Sequence, residues 1–199
     1  MNVGSFVLAS ALFMSAAPSA AMFDDVTPPA VPGDLAVSAD ERAFLIAHAI
    51  GTQNYVCLPA SAGGYAWVLF GPQATLFDED GGQVITHFLS ANPAEGGLPR
   101  PTWQHSRDTS SVWAALAASS TDPAYVAPNS IPWFLLRTTG TQYGPELGGR
   151  LVRTTAIQRV NTSGGVAPAT GCAVAADAGR KALVPYSADY VFYRMRGGR

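Results

Sequence analysis

Proline, glycine and other turn residues punctuate this chain along its whole length. The 199 residues include 20 glycines and 15 prolines, without the three-residue period of collagen. Between these breaks lie short runs rich in aromatic and β-branched residues, at 65–70, 74–77, 83–88, 131–136, 151–161 and 184–194. Runs of this kind, bounded by turn residues, read as strands. The expected fold is mainly β, a single-domain antiparallel β-sandwich or barrel-like fold with long loops and little helix.

Individual segments sharpen that expectation. Asp78-Glu79-Asp80-Gly81-Gly82 separates two extended runs and forms the clearest hairpin turn. A calcium loop is the sharper reading of its acidic residues, but no further acidic ligand follows at EF-hand spacing. The turn alone explains them. Gly71-Pro72 is expected to end one strand before the next begins at Ala74. Residues 89–100 read as a polar surface loop, and 111–118, rich in alanine, fit either helix or strand. Ile131-Pro132-Trp133-Phe134-Leu135-Leu136 is apolar throughout, as in a strand buried on both faces, with its proline at the start. Residues 38–50 are ambiguous. Ser38 and Glu41 have capping-box spacing, which favours a helix, yet the segment runs into an alternating strand pattern through Cys57.

The amino-terminal residues read as an address. An apolar run at 6–17 is followed by Pro18-Ser19-Ala20-Ala21, the order found in secretory signal peptides. Small residues at Ser19 and Ala21 place the expected cut after Ala21, although no Lys or Arg precedes the run. The run is shorter than the ~20 residues that span a bilayer. The expected organisation is therefore a signal peptide at 1–21, a proline-rich extended lead-in at 22–34, one β-rich domain at 35–193 and a short basic tail at 194–199. The mature protein is expected in the extracellular space or a bacterial periplasm. Cys57 and Cys172 agree with export, because an even pair in an oxidising compartment is most simply a disulfide. A catalytic thiol would want a partner cysteine or a histidine motif, and neither is visible.

Charge excludes further classes. Twelve basic and fourteen acidic residues give a net charge of −2, which does not suit an electrostatic nucleic-acid or anionic-membrane binder. No nucleotide-binding glycine loop, nucleophile elbow or paired-histidine metal motif occurs, so no cofactor is expected. A metal site would need His87, His105 and Asp108 to converge, and their spacing gives that no support. Polar residues within apolar strands are more informative: Gln53, Gln158, Arg159 and Asn161 must find partners if buried. They either brace the sheets or line a pocket. The candidate ligand-binding set is Gln53, Trp103, Trp133, Gln158 and Tyr186, amides beside aromatic faces suited to a sugar, peptide or small aromatic ligand. Asn161-Thr162-Ser163 is also a glycosylation sequon.

Gly51-Thr52-Gln53-Asn54-Tyr55-Val56-Cys57 resembles the G-x-Q-x-Y-x-C element of the domain-of-unknown-function 3455 family, a group of secreted bacterial and fungal proteins. Further elements match in order: Trp67, Gly71-Pro72-Gln73-Ala74-Thr75-Leu76-Phe77-Asp78, His87-Phe88, Pro101-Thr102-Trp103, Asp108-Thr109-Ser110, the 131–136 run, and Ile157-Gln158-Arg159-Val160-Asn161-Thr162. Gly164-Gly165, Gly171-Cys172 and Val184-Pro185-Tyr186-Ser187-Ala188-Asp189-Tyr190 close the series, which covers most of 35–193. The resemblance implies an extended segment at 42–49, against local propensity. Two departures stand out. Residues 89–100 are an insertion between the histidine and P-T-W elements, and Thr109 replaces the glycine of D-G-S, which argues against a left-handed backbone there. The resemblance implies no activity. The function expected is an exported, non-catalytic module that binds a small ligand or surface polymer, or serves a structural role. The alternative is a hydrolase or lyase in which Asp108 orients His87 as general base.

Overall fold

The computed structural model describes residues 26–197. The apolar run at 6–17 and the expected cut after Ala21 lie outside them. Eight strands follow in sequence: β1 (Glu41–Pro59), β2 (Tyr65–Phe77), β3 (Gln83–Asn92), β4 (Leu98–His105), β5 (Ser111–Ser120), β6 (Trp133–Gln142), β7 (Ala156–Gly164) and β8 (Lys181–Met195). Each pairs antiparallel with the next, and β8 returns to pair with β1, giving a closed barrel. Of the two shapes expected, the barrel is the one formed. Closure removes the unpaired edges that an open sheet would expose. No helix among the described residues is long and apolar enough to cross a membrane.

Strand pairing decides the ambiguous amino-terminal segment. β1 pairs with β8 from Glu41↔Met195 to Val56↔Lys181, so residues 42–49 are extended despite their helical propensity. Ser38 accepts the N–H of Asp40 on its hydroxyl and that of Glu41 on its carbonyl, closing a turn into the strand rather than capping a helix. Three other expectations are corrected. β2 runs unbroken through Gly71-Pro72, because β3 joins β2 only from Ala74 and the missing N–H of Pro72 interrupts no β2–β3 bond. Residues 89–100 are not a loop. They continue β3 and β4 as a paired hairpin out to Asn92↔Leu98, turned by a 3-10 segment at Pro93–Glu95. Its tip is fixed by Asn92 accepting the N–H of Ala94 and by the Glu95–Arg100 ion pair. Finally, 151–155 is turn, and β7 begins at Ala156. Leu151 is apolar because it is wholly buried with the barrel core, its N–H bonded to Ser110 Oγ at 3.1 Å.

Two apolar layers follow from strand alternation. Inside the barrel, Phe44, Leu76, Ile85, Val112, Leu136, Ile157 and Phe192 pack with Trp103, Tyr186 and Tyr190. On the outer face of β6, β7, β8 and β1 a second layer gathers Leu35, Trp133, Leu135, Val160, Val191 and Tyr193, with Val26, Val31 and Val37 packed against it. The proline-rich segment is therefore a cover. It explains why 133–136 is apolar on both faces.

Gly51 marks a close approach of β1 to β2. It pairs with Ala74, and a Cβ there would strike the Gln73 carbonyl oxygen and the Ala74 backbone. Gly51→Ala is expected to lower stability by about 1–3 kcal/mol, since backbone rather than a flexible side chain must yield. An unchanged urea midpoint would count against this packing.

Candidate functional site

Parity along the strands sorts the polar residues between the two layers. On β7, Ile157 belongs to the interior and Val160 to the outer layer; between them Gln158 turns outward and Arg159 inward. On β6, Trp133 faces outward and Phe134 inward by the same rule. Gln158 and Trp133 are thus separated from the interior and do not join Gln53 and Trp103. Gln158 Nε2 donates to the Leu35 carbonyl at 2.7 Å, and Tyr193 OH donates to Gln158 Oε1 at 2.6 Å. Trp133 meets Tyr125 edge to face at 5.7 Å. Both hold the amino-terminal segment and the 121–132 connection against the barrel.

A cavity of about 110 Å³ remains inside. Gln53 on β1, His87 on β3, Trp103 on β4, Arg159 on β7 and Tyr190 on β8 line its polar side, and Leu69, Pro72, Pro101, Leu116, Phe134 and Leu136 its apolar side. Tyr186 is one step removed, its hydroxyl 3.3 Å from that of Tyr190. Pairing shows how this space is reached. The β2–β3 ladder stops at Ala74↔His87 and the β4–β5 ladder at Thr102↔Trp113, so the outer part of the β3–β4 hairpin leaves the barrel wall. It crosses the outside of β5, where Trp113 Nε1 donates to Ser90 Oγ, and reaches β6, where Asn92 Nδ2 donates to Thr139 Oγ1. Leu69 on β2 and Leu116 on β5, each at least half exposed, flank the cavity on either side of the departing hairpin.

The aromatic floor is tightly defined. His87 stacks on Trp103 with ring centroids 4.3 Å apart, and Tyr190 tilts against both rings. His87 Nδ1 lies 2.8 Å from the Thr102 carbonyl, which can only accept, so the proton sits on Nδ1. Burial pushes the His87 pKa down to about 3, and the imidazole is neutral at ordinary pH. Three residues of the lining each have a buried polar atom without a hydrogen-bond partner: Gln53 Nε2, Trp103 Nε1 and Arg159 Nε.

Asp108 is elsewhere. It sits in the turn after β4, where its carboxylate accepts from Ser110 N–H and Oγ and from the Arg150 N–H, with His105 Nδ1 3.0 Å away. Burial would raise its pKa, but the Arg150 and Ser110 hydrogen bonds outweigh this and lower it. The anticipated His87–Asp108 pair is not formed, because His87 points into the barrel from mid-strand while Asp108 serves as the clasp of a turn. Thr109 takes φ of +54° there despite its branched side chain, so the left-handed backbone is kept without the glycine. Among the described residues no three His, Cys, Asp or Glu side chains are grouped to hold a metal ion.

A different histidine–carboxylate cluster lies on the outer surface. His48 Nδ1 is 2.7 Å from Asp189 Oδ1 and its Nε2 is 3.1 Å from Glu79 Oε1, while Asp189 Oδ2 accepts from Asn161 Nδ2. The Asp189 hydrogen bond, with that of Glu79, raises the His48 pKa. Nothing local in the sequence links these residues: the β1–β8 register His48↔Asp189, the β1–β2 register His48↔Phe77 and the β7–β8 register Val160↔Asp189 bring them together. Arg159 offered a clearer signal: alternation from Ile157 turns it inward as soon as Ile157 is assigned to the core.

Cys57 and Cys172 form the expected disulfide, Cα to Cα 5.5 Å, joining β1 to the connection between β7 and β8. A family model described as "Protein of unknown function (DUF3455)" matches residues 38–194. No curated protein and no solved structure matches the chain.

Proposed function

The chain belongs to the DUF3455 family, and for a member with this cavity we propose an exported, non-catalytic binding protein whose barrel takes up a small, largely apolar ligand. The observation that carries the reading is the cavity itself: a mainly apolar lining that includes Gln53, Trp103 and Arg159, each with a buried polar atom that has no protein partner. An unsatisfied buried donor costs about 1–3 kcal/mol, and such groups gather where a ligand or water completes them. Its volume is close to that of an engineered apolar cavity of ~150 Å³ that holds benzene. The neutral, backbone-bound His87 suits a wall more than a general base. Export is supported by the apolar run at 6–17 with small residues after it, and by the disulfide.

The reading is tested by thermal shift against small aromatic compounds, sugars and short-chain lipids. A ligand at a hundred times its Kd adds about 2.7 kcal/mol, which raises Tm by roughly 5–10 °C in a domain of this size. Leu116→Trp, at an exposed position beside the cavity, is expected to remove that shift while leaving the unliganded Tm nearly unchanged. A panel without any shift, or a shift that survives Leu116→Trp, overturns the proposal.

A further inference from the structure

Arg159 is the one charged residue among the described residues that line the cavity, and it is 8% exposed. Its guanidinium carbon lies 3.9 Å over the Phe134 ring, and one terminal nitrogen donates to the Pro132 carbonyl at 2.7 Å. No carboxylate among the described residues pairs with it. The contrast with other arginines is instructive. Arg100, Arg137 and Arg180 pair with Glu95, Glu41 and Asp177, although their side chains are 28%, 42% and 59% exposed. These three have carboxylate partners although water already serves them, whereas Arg159, lining the cavity, has none. A buried cation without a counter-charge is costly, so its partner is to be sought outside the chain.

Taking the cavity as the binding site, as proposed above, we infer that the ligand is a small monocarboxylate whose anionic group is held by Arg159. The neighbouring Gln53 Nε2 and Trp103 Nε1 are also N–H donors without partners, and a donor set suits an acceptor-only group such as a carboxylate. His87, neutral at ordinary pH, adds no second positive charge. Leu69, Leu116 and Phe134 then face the apolar body of the ligand, and the volume limits that body to a ring or a short chain.

Titration calorimetry with benzoate and hexanoate, beside benzamide and hexanamide, tests the inference. The acids are expected to bind about ten- to a hundredfold more tightly than their amides, the usual gain of a charge-assisted hydrogen bond. Arg159→Gln should bring the acids down to the level of the amides and leave the amides unaffected. It should also hold or raise the unliganded Tm, because a buried charge is removed; a brace would behave oppositely. Should that variant not fold, the wild-type acid-to-amide ratio decides alone. Equal binding of acids and amides sinks the carboxylate inference but leaves the cavity reading intact. Binding that ignores Leu116→Trp, or no binding of either class, overturns the inference together with the cavity reading.

Discussion

Replacing Cys57 and Cys172 by serine is expected to lower stability by about 4–5 kcal/mol, the largest effect of any change considered. The bond spans a sequence separation of 115 residues, and in the chain-entropy model the stabilisation grows with the logarithm of the closed loop. For a chain of this size the loss corresponds to a fall in Tm of roughly 10–20 °C. The fold gives the staple little redundancy. The connection after β7 is otherwise tied near Cys57 by the Trp67 Nε1 bond to the Thr170 carbonyl and by backbone bonds from Cys57 to Arg180 and from Gly179 to Cys57. Melting curves with and without a phosphine reductant, and for the double-serine variant, measure the effect. Coincident curves would show that these few hydrogen bonds suffice.

Acid should destabilise the protein through His87 well before most carboxylates titrate. Its pKa is near 6.5 when unfolded and about 3 in the fold. Below pH 6.5 the unfolded chain gains a proton that the native state refuses, so stability falls as pH falls. The slope approaches about 1.4 kcal/mol per pH unit, or roughly 2–3 kcal/mol between pH 6.5 and 4.5. His105, whose pKa burial also lowers, adds in the same direction. His48 does not, because its raised pKa leaves it charged in both states below pH 6.5; its contribution is lost as pH rises through the folded value. His87→Asn retains a donor for the Thr102 carbonyl and removes the titration. Denaturation at several pH values should show a slope shallower by about 1 kcal/mol per unit in the variant. Parallel slopes would mean that the buried imidazole takes up its proton without opening the barrel.

How much of this was legible depends on how local the governing interaction is. The 78–82 turn, the two-faced burial of 133–136 and the disulfide rest on residue types whose constraints act nearby or through simple pairing. The inward or outward sense of each side chain does not. Gln158 and Arg159 are both buried, since the amino-terminal segment covers the outer face, and polarity could not divide them. Alternation divides them only once Ile157 is assigned to the core, and elsewhere shifts in register between Asn54 and Tyr55, Trp113 and Ala114, and Val160 and Ser163 reset the alternation. Residues 89–100 read as a loop because their outer hairpin gains its partners from β5 and β6, distant in sequence. Leu151 read as strand because apolarity alone does not distinguish a pleated segment from a plug.

The pairing of β1 with β8 also has a temporal side. β8 is made after the seven other strands, so β1, the first of them, waits with the backbone bonds of that flank unmade until the rest of the barrel has been synthesised. Such late, long-range pairing makes for slow assembly. Chains arrested short of β8 would carry the longest strand as an open, sticky border.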